Sequence, residues 1–197
     1  AQTMRTPARA SGGTVTVAGG VAGTEGIIHS GIGPFDISNE SRLVYLTARY
    51  VRGGRRIAFF TNLLEGSAAN LLARGPDLQP LPLVFDTKTF DLDVSDVRAI
   101  GTRHVLSFGG NIRRNTFDIS LAPDGDARTE GGGYIQDEMF LTDHVRWIVG
   151  GRVDKFSSIE SAVFSPRTTL LLKPTPDQAL RLSFNRAFRA PSFINNN

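Results

Sequence analysis

Histidines and neighbouring carboxylates are the residues of this chain that could do chemistry, and their spacing argues against a reactive site. His29, His104 and His144 are far apart in sequence, and two of them border predicted tight turns. Solvated turn histidines are therefore expected in preference to a metal site. Asp137 and Glu138 are adjacent, so on a strand they point to opposite faces and cannot form an acid–base pair.

The other candidates for catalysis are equally isolated. Asp91 and Asp93 share a face of a predicted strand, but no base, nucleophile or oxyanion donor is indicated nearby. Ser165 and Ser183 lie in no nucleophile elbow. The chain has no cysteine, which excludes disulfides, thiol catalysis and thiolate metal ligands. We predict no catalytic residue, no cofactor and no metal, and hence no enzyme.

One acidic loop and two glycine clusters partly resemble known ligand-binding motifs, a calcium loop and a phosphate loop. Asp124, Asp126 and Glu130 lie in DGDARTE, which has some acidic positions of a calcium loop but lacks its third ligand and its glycine. We expect a solvated external loop, with calcium binding as the alternative.

The glycines at 131–133 and 109–110 lack the Lys-Ser/Thr of a phosphate loop and lie in predicted strands, so we expect bends or bulges.

Composition limits the possible classes of protein. The 197 residues are 40% apolar and 21% charged with a net charge of +3, which suits one globular domain or a membrane barrel. Basic residues are spread over nearly every segment, and this argues against a nucleic-acid partner. No apolar run approaches the about 18 residues of a transmembrane helix, and no signal peptide opens the chain. The chain starts without Met and ends just after a strand-like segment, so we expect a piece of something longer.

Apolar and polar residues alternate with a period of two along most of the chain, which is typical of strands. Residues 1–13 are polar and expected to be poorly ordered or extended, in any case irregular, and a loop is expected over Gly33–Glu40. The predicted strands are Thr14–Ala18, Ile27–Ile32, Arg42–Val51, Ile57–Leu64, Val84–Ala99, His104–Leu121, Gly132–Leu141, Val145–Lys155, Arg167–Lys173 and Ala179–Arg186.

Turn spacing predicts how these strands are connected. Short turns near Gly53, Thr102, Asp143 and Pro176 alternate with longer loops over Glu65–Pro82, Ala122–Gly131 and Ser157–Ala162. The fold class is therefore all-β, an antiparallel up-and-down meander. Tight turns at one end and longer loops at the other are typical of an outer-membrane barrel, whereas a soluble sandwich has comparable turns at both ends. Periodicity alone leaves both open.

Four stretches carry a family resemblance. In chain order they are HVLSFGGNIRRNTFD, GGGYIQDEMFLTDHVRWIVGGRVDKF, the hairpin from residue 164, and SFNRAFRAPSF at its end. They resemble strands and hairpins in the barrels of TonB-dependent outer-membrane receptors, where they occur in the same order. The chain resembles that family well over residues 100–194 and loosely before them. It has no plug domain, energy-coupling box or aromatic terminal strand, so the resemblance implies an internal section, a partial outer-membrane β-barrel spanning 1–197.

The resemblance also implies function, partners and location. Such a receptor resides in the outer membrane, binds a small extracellular ligand and moves it into the periplasm when the TonB complex pulls on the plug. Its partners would be TonB, acting through the missing plug, the ligand and outer-membrane lipid. Two alternatives remain: a soluble or surface-attached all-β module that binds carbohydrate, and an ungated porin.

Under the membrane interpretation, one strand face lines the lumen. Its polar residues would solvate the lumen and pair with a plug, with ligand contact as the alternative, while selectivity would lie in Glu65–Pro82 and Ala122–Gly131. The lumen residues would be Arg181, Arg152, Arg146, Arg113, Asn185 and Asp91.

The opposite face separates the membrane from the soluble interpretation. A membrane barrel exposes Leu180, Leu182, Phe184, Val145 and Trp147 as one exterior band, whereas a soluble module packs them against a second layer.

Overall fold

The computed structural model describes residues 2–10, 12–30, 33–37, 41–120 and 127–188. The regular secondary structure within these ranges consists of strands. The described residues contain no helix that is long and apolar enough to span a membrane. The strands are β1 (Gln2–Ala10), β2 (Gly13–Gly23), β3 (Gly26–Ser30), β4 (Gly33–Ile37), β5 (Arg42–Arg52), β6 (Arg55–Arg74), β7 (Pro80–Ile100), β8 (His104–Ile119), β9 (Ala127–Thr142), β10 (Val145–Phe156), β11 (Val163–Thr175) and β12 (Gln178–Asn185).

The strands form one antiparallel meander. Its order is β1-β2-β5-β6-β7-β8-β9-β10-β11-β12, while β3 pairs with β4 and β4 also pairs with β6. The predicted all-β up-and-down topology is confirmed. Within the described residues β1 and β12 do not pair with each other, so the sheet is open and corresponds to part of a barrel.

The predicted tight turns are also confirmed. Turn residues lie at 53–54, 101–103, 143–144 and 176–177, each between two consecutive strands. Gly53 and Gly101 have φ of 58° and 61°, in the left-handed region where a side chain is strained. The glycines are thus what allows these two hairpins to close tightly.

The start of the chain is extended, and one predicted loop is wrong. Residues 2–10, expected to be poorly ordered or extended, form β1, which pairs along its whole length with β2 from Gln2↔Val21 to Ala10↔Gly13. The loop expected over Glu65–Pro82 shrinks to residues 75–79, since β6 continues to Arg74 and β7 begins at Pro80. Polar or small side chains hide the alternation there, but pairing is made by backbone groups and needs no apolar face.

Two further loops are shorter than expected. Residues 33–37 of the loop expected over Gly33–Glu40 form β4, and residues 38–40 lie outside the described part. In the loop expected over Ala122–Gly131, β9 already begins at Ala127, while 122–126 lie outside it. The outward extension of the strands leaves less chain for binding loops than the sequence predicted.

The chain divides into two compact units. The first consists of Ala1–Tyr50, Ala58–Leu92 and Arg113–Thr129. Its core is small: β4 places Phe35 and Ile37 against Ala68 of β6, and Leu83 packs on them. The second consists of Val51–Ile57, Asp93–Ile112 and Glu130–Asn197. Among its described residues, no hydrophobic side chain is buried.

Candidate functional site

Strands β9 to β12, in the second unit from Glu130 onward, present two faces of opposite chemistry. Residues directly opposite each other in an antiparallel sheet project to the same face, and Trp147, Leu170 and Leu182 form one such row. The apolar face carries Ile135, Met139, Val145, Trp147, Val149, Val153, Phe164, Leu170, Leu172, Leu180, Leu182 and Phe184. The polar face carries Tyr134, Gln136, Glu138, Arg146, Arg152, Asp154, Ser165, Arg167, Thr169, Arg181, Ser183 and Asn185. Ile148, Leu171 and Phe140 are apolar exceptions on the polar face, and Asp137 and Thr168, both opposite Val149, are polar exceptions on the apolar face.

The apolar face is uncovered. Leu180, Leu182, Phe184 and Trp147 are 52%, 57%, 61% and 42% exposed, and Val145 is partly exposed. Because no described hydrophobic residue of this unit is buried, no second layer packs on the face. This is the outcome expected of a membrane barrel and not of a soluble sandwich.

The indole N–H of the single tryptophan, Trp147, is hydrogen-bonded on the apolar face. The Trp147 indole N–H donates to Thr168 Oγ1 at 2.9 Å, from the neighbouring strand. A buried or lipid-facing indole needs such a partner, because an unpaired N–H outside water is costly. The contact allows Trp147 to face an apolar medium.

The polar face is organised around Arg152. Its Nε donates to both Asp154 carboxylate oxygens, at 2.8 and 2.9 Å, and its Nη2 donates to Asn111 Oδ1 at 2.6 Å. Gly132 lies directly opposite Asp154, and a Cβ at Gly132 would clash with Asp154 Oδ1 and lie 2.7 Å from Arg152 Nη2. The space left by the missing side chain therefore holds the ion pair.

The glycine cluster at 131–133 does not act as predicted. Residues 131–133 pair with β10 in unbroken register, so the bulge or bend expected there is wrong. At Gly109 a Cβ would lie 2.6 Å from the Val94 carbonyl oxygen. Gly109 leaves space for a neighbouring strand, and Gly132 leaves space for the ion pair.

A second pair of contacts on the polar face involves Arg146. Its Nη1 lies 3.5 Å from Glu138 Oε1, and its guanidinium lies 4.7 Å from the centre of the Phe140 ring. Arg181 lies in the same cross-strand row as Leu171 and Arg146, and its Nε donates to Ser183 Oγ at 3.0 Å. The predicted lumen residues of β10 and β12 therefore share one face.

The remaining predicted lumen residues lie in the first unit. Arg113 Nε donates to Asp91 Oδ2 at 2.7 Å, and Thr89 Oγ1 donates to Asn115 Oδ1 at 2.9 Å. This unit therefore contains a polar strip of cross-strand pairs between β7 and β8.

A pocket of about 690 Å³ lies over the polar face. Its lining includes Arg152 and Arg167 from the strands and Arg186 from the segment that follows β12. The Arg186 N–H donates to the Pro166 carbonyl at 3.0 Å, which ties that segment to β11. Sequence reasoning did not identify Arg167 or Arg186 as site residues.

That segment continues along the rim of the pocket. The ring of Phe188 lies 5.8 Å from that of Phe156 at the end of β10, with the planes tilted by 45°. The sequence feature that could have indicated this segment is the break in alternation after Asn185, where a strand-like pattern gives way to a short irregular stretch.

The residues considered for catalysis are not assembled into a reactive site. Asp137 and Glu138 point to opposite faces, as predicted: Asp137 Oδ2 lies 2.7 Å from His104 Nδ1, and Glu138 contacts Arg146. Asp93 contacts Arg56 at 3.8 Å within the second unit.

The two serines lie on the polar face without a catalytic base. Ser183 Oγ accepts from Thr169 and Arg181, and Ser165 lies opposite Arg152. Neither contacts a histidine among the described residues.

The metal-ligand candidates are scattered or lie outside the described part. His29 pairs with Pro34 in the β3–β4 hairpin, and the His144 N–H donates to Thr142 Oγ1 at 3.2 Å. Asp124 and Asp126 lie outside the described residues, while Glu130 lies in β9. Within the described ranges no group of three His, Cys, Asp or Glu side chains is placed to hold a metal.

Comparison with known proteins identifies the family. The model of the TonB dependent receptor-like β-barrel matches residues 30–197 and so extends well before residue 100, where the likeness in sequence was loose. No curated protein and no solved structure matches the chain significantly. The family consists of outer-membrane receptors that transport ligands and not of enzymes. An open antiparallel meander with one apolar and one polar face agrees with that match, and the chain belongs to the TonB-dependent receptor-like β-barrel family.

Proposed function

We propose that this chain is a section of the barrel of an outer-membrane receptor that binds a small extracellular ligand and passes it to the periplasm. The TonB complex would drive transport by acting on a plug supplied outside these 197 residues. The ligand would be a scarce nutrient such as a metal chelate, a cobalamin or an oligosaccharide. The mechanism is binding followed by gated passage, with no covalent chemistry.

The observation that carries this proposal is the opposed polarity of β9 to β12. An exposed apolar face needs a medium that is itself apolar, and a bilayer supplies one. The reverse side, with its arginines, carboxylates and amides, suits a water-filled or plugged lumen. One sheet with two such faces is expected where lipid lies on one side and water on the other.

Hydrogen bonding adds a second argument. The outer edges of β1 and β12 have unpaired backbone groups within the described part of the chain. Lipid offers those groups no partners, so a stable membrane form requires further strands that close the barrel. We therefore place these residues within a larger barrel domain.

Paired cysteine variants test the membrane placement, since the chain has no cysteine of its own. Leu182→Cys and Arg181→Cys are neighbours on opposite faces of β12. In cells that express the complete reading frame, a lipid-soluble maleimide should label the first, and a small water-soluble maleimide should label the second. Equal labelling of both by the water-soluble reagent would support a soluble module and contradict the proposal.

Uptake separates a gated receptor from a porin. Cells with and without the TonB complex are given a panel of radiolabelled ferric chelates, cobalamin and oligosaccharides. Accumulation that needs both the receptor and TonB supports the proposal. Accumulation that needs the receptor but persists without TonB indicates an ungated porin.

A further inference from the structure

We propose that the pocket on the polar face binds a small organic anion, a ligand with carboxylate or phosphate groups as well as hydroxyls. This inference rests on the proposed function, because it names the chemical class of the ligand that the receptor takes up. It depends on the charges, the fixed geometry and the size of the pocket.

The charges of the pocket do not cancel. The lining includes three arginines, Arg152, Arg167 and Arg186, and one acidic residue, Asp154. Arg152 and Asp154 neutralise each other through their forked contact. Arg167 and Arg186 make no ion pair within the described part of the chain, which leaves an excess of two positive charges. A guanidinium binds a carboxylate or phosphate through paired, charge-assisted hydrogen bonds, so an anion is the complementary ligand.

One wall of the pocket is held in place before any ligand arrives. Arg152 is fixed by Asp154 and by Asn111, and Gly132 leaves the space that this pair occupies. A fixed wall loses little conformational freedom on binding, which favours affinity.

Neutral polar groups stand beside the arginines. Tyr134 and Ser165 lie opposite Arg152 on its two neighbouring strands, and Asn185 lies opposite Arg167. Neighbouring strands are about 4.8 Å apart, so these residues are direct cross-strand neighbours of the two arginines on the same face. These groups suit the hydroxyls of a polar anion better than the surface of an apolar one.

Size fits the same class. The volume of 690 Å³ falls within the range of about 300–1,000 Å³ that is typical of small-molecule sites. Phe188 at the rim adds an apolar edge beside the charged groups.

The test uses the complete receptor, purified in detergent, and isothermal titration with two anionic probes, citrate and inorganic pyrophosphate. Trimethyl citrate is the neutral probe of the same skeleton. Arg167→Gln and Arg186→Gln remove the uncompensated charges one at a time. Arg181→Gln removes the same charge from the same face outside the pocket lining and is the matched control.

We expect at least one anionic probe to bind the wild type and Arg181→Gln equally, and each pocket variant to bind it about tenfold more weakly or worse. Trimethyl citrate should not compete. Circular dichroism of each variant must match that of the wild type, and Arg167→Lys should retain part of the affinity because it keeps the charge. The better of the two probes tells whether carboxylate or phosphate is preferred.

Three outcomes would overturn the inference: neither anion binds the wild type, the pocket variants bind as Arg181→Gln does, or anions bind only after the plug is deleted. In the last case an acidic part of the protein itself fills the pocket. Titration does not involve TonB, so its result stands apart from transport. A receptor that binds citrate through Arg167 and Arg186 but shows no TonB-dependent uptake would refute the proposed function alone.

Discussion

Leu182→Lys places a charge on the uncovered apolar face, midway along β12, and we expect it to destabilise the barrel strongly. The side chain is 57% exposed and lies in a row with Trp147 and Leu170. In water the substitution of so exposed a leucine would be nearly neutral. In a bilayer it forces an ammonium group into hydrocarbon, where the cost depends on depth.

The depth can be estimated from the structure. Leu182 lies five residues beyond Asp177, the last residue of the turn before β12. At about 3.4 Å per residue this is about 17 Å along the strand, or about 13 Å along the barrel axis for a tilt of about 40°. The apolar band of such barrels is about 25 Å tall, so Leu182 lies near its middle, where a lysine costs about 2–4 kcal/mol.

The assay is guanidinium unfolding of the complete receptor in phospholipid vesicles, with Leu171→Lys as the matched control. Leu171 lies on the polar face in the row of Arg146 and Arg181, so the same change there adds only repulsion in water, about 1 kcal/mol or less. A loss for Leu182→Lys within about 0.5 kcal/mol, as for an ordinary surface site, would refute the assignment of this face to lipid. So would a larger loss for Leu171→Lys.

Three further substitutions test local features of the same assembly. Gly132→Ala should lower the unfolding free energy in the same assay by about 1–3 kcal/mol, because its Cβ would overlap the ion pair. The control Gly133→Ala should lose less than about 1 kcal/mol, because its Cβ would lie 3.6 Å from the nearest atom. Equal losses would contradict the claim that the missing side chain of Gly132 makes room for the ion pair. Thr168→Val removes the acceptor of the Trp147 indole and should cost about 1–3 kcal/mol; an unchanged unfolding midpoint would mean that the indole N–H needs no partner. Gly101→Ala should cost about 1–2 kcal/mol because φ is 61°, and Gly101→Asn should cost less; the reverse order in thermal unfolding would exclude backbone strain as the cause.

Sequence alone predicted much of the fold, because a strand beside lipid or water shows its faces in its alternation. Leu180, Leu182 and Phe184 could be assigned to one side of β12, and Arg181 and Asn185 to the other. The signal failed in residues 65–74, where β6 continues through a stretch with many small side chains. Backbone pairing continues a strand there without any help from the pattern.

The sequence predicted which face of the sheet each residue of the candidate site lies on, but not which residues contact each other. The alternation of side chains along the strand placed Arg152 on the polar face. Its contacts with Asp154 and Asn111, however, depend on strand register. Register is set by turns, close approaches and neighbouring strands, and a single strand does not contain that information. The role of Gly132 is likewise visible only when Asp154 lies directly across from it.

The absence of a buried core in the described residues of the second unit has a consequence for where its stability comes from. In a soluble sheet protein, one face packs on another layer and the hydrophobic effect holds the two together. Here the large apolar side chains of β10 to β12, such as Trp147, Leu182 and Phe184, remain exposed. Such a sheet is marginal in water. Under the proposed function, its stability would come from lipid around one face and from hydrogen-bonded strands on both edges.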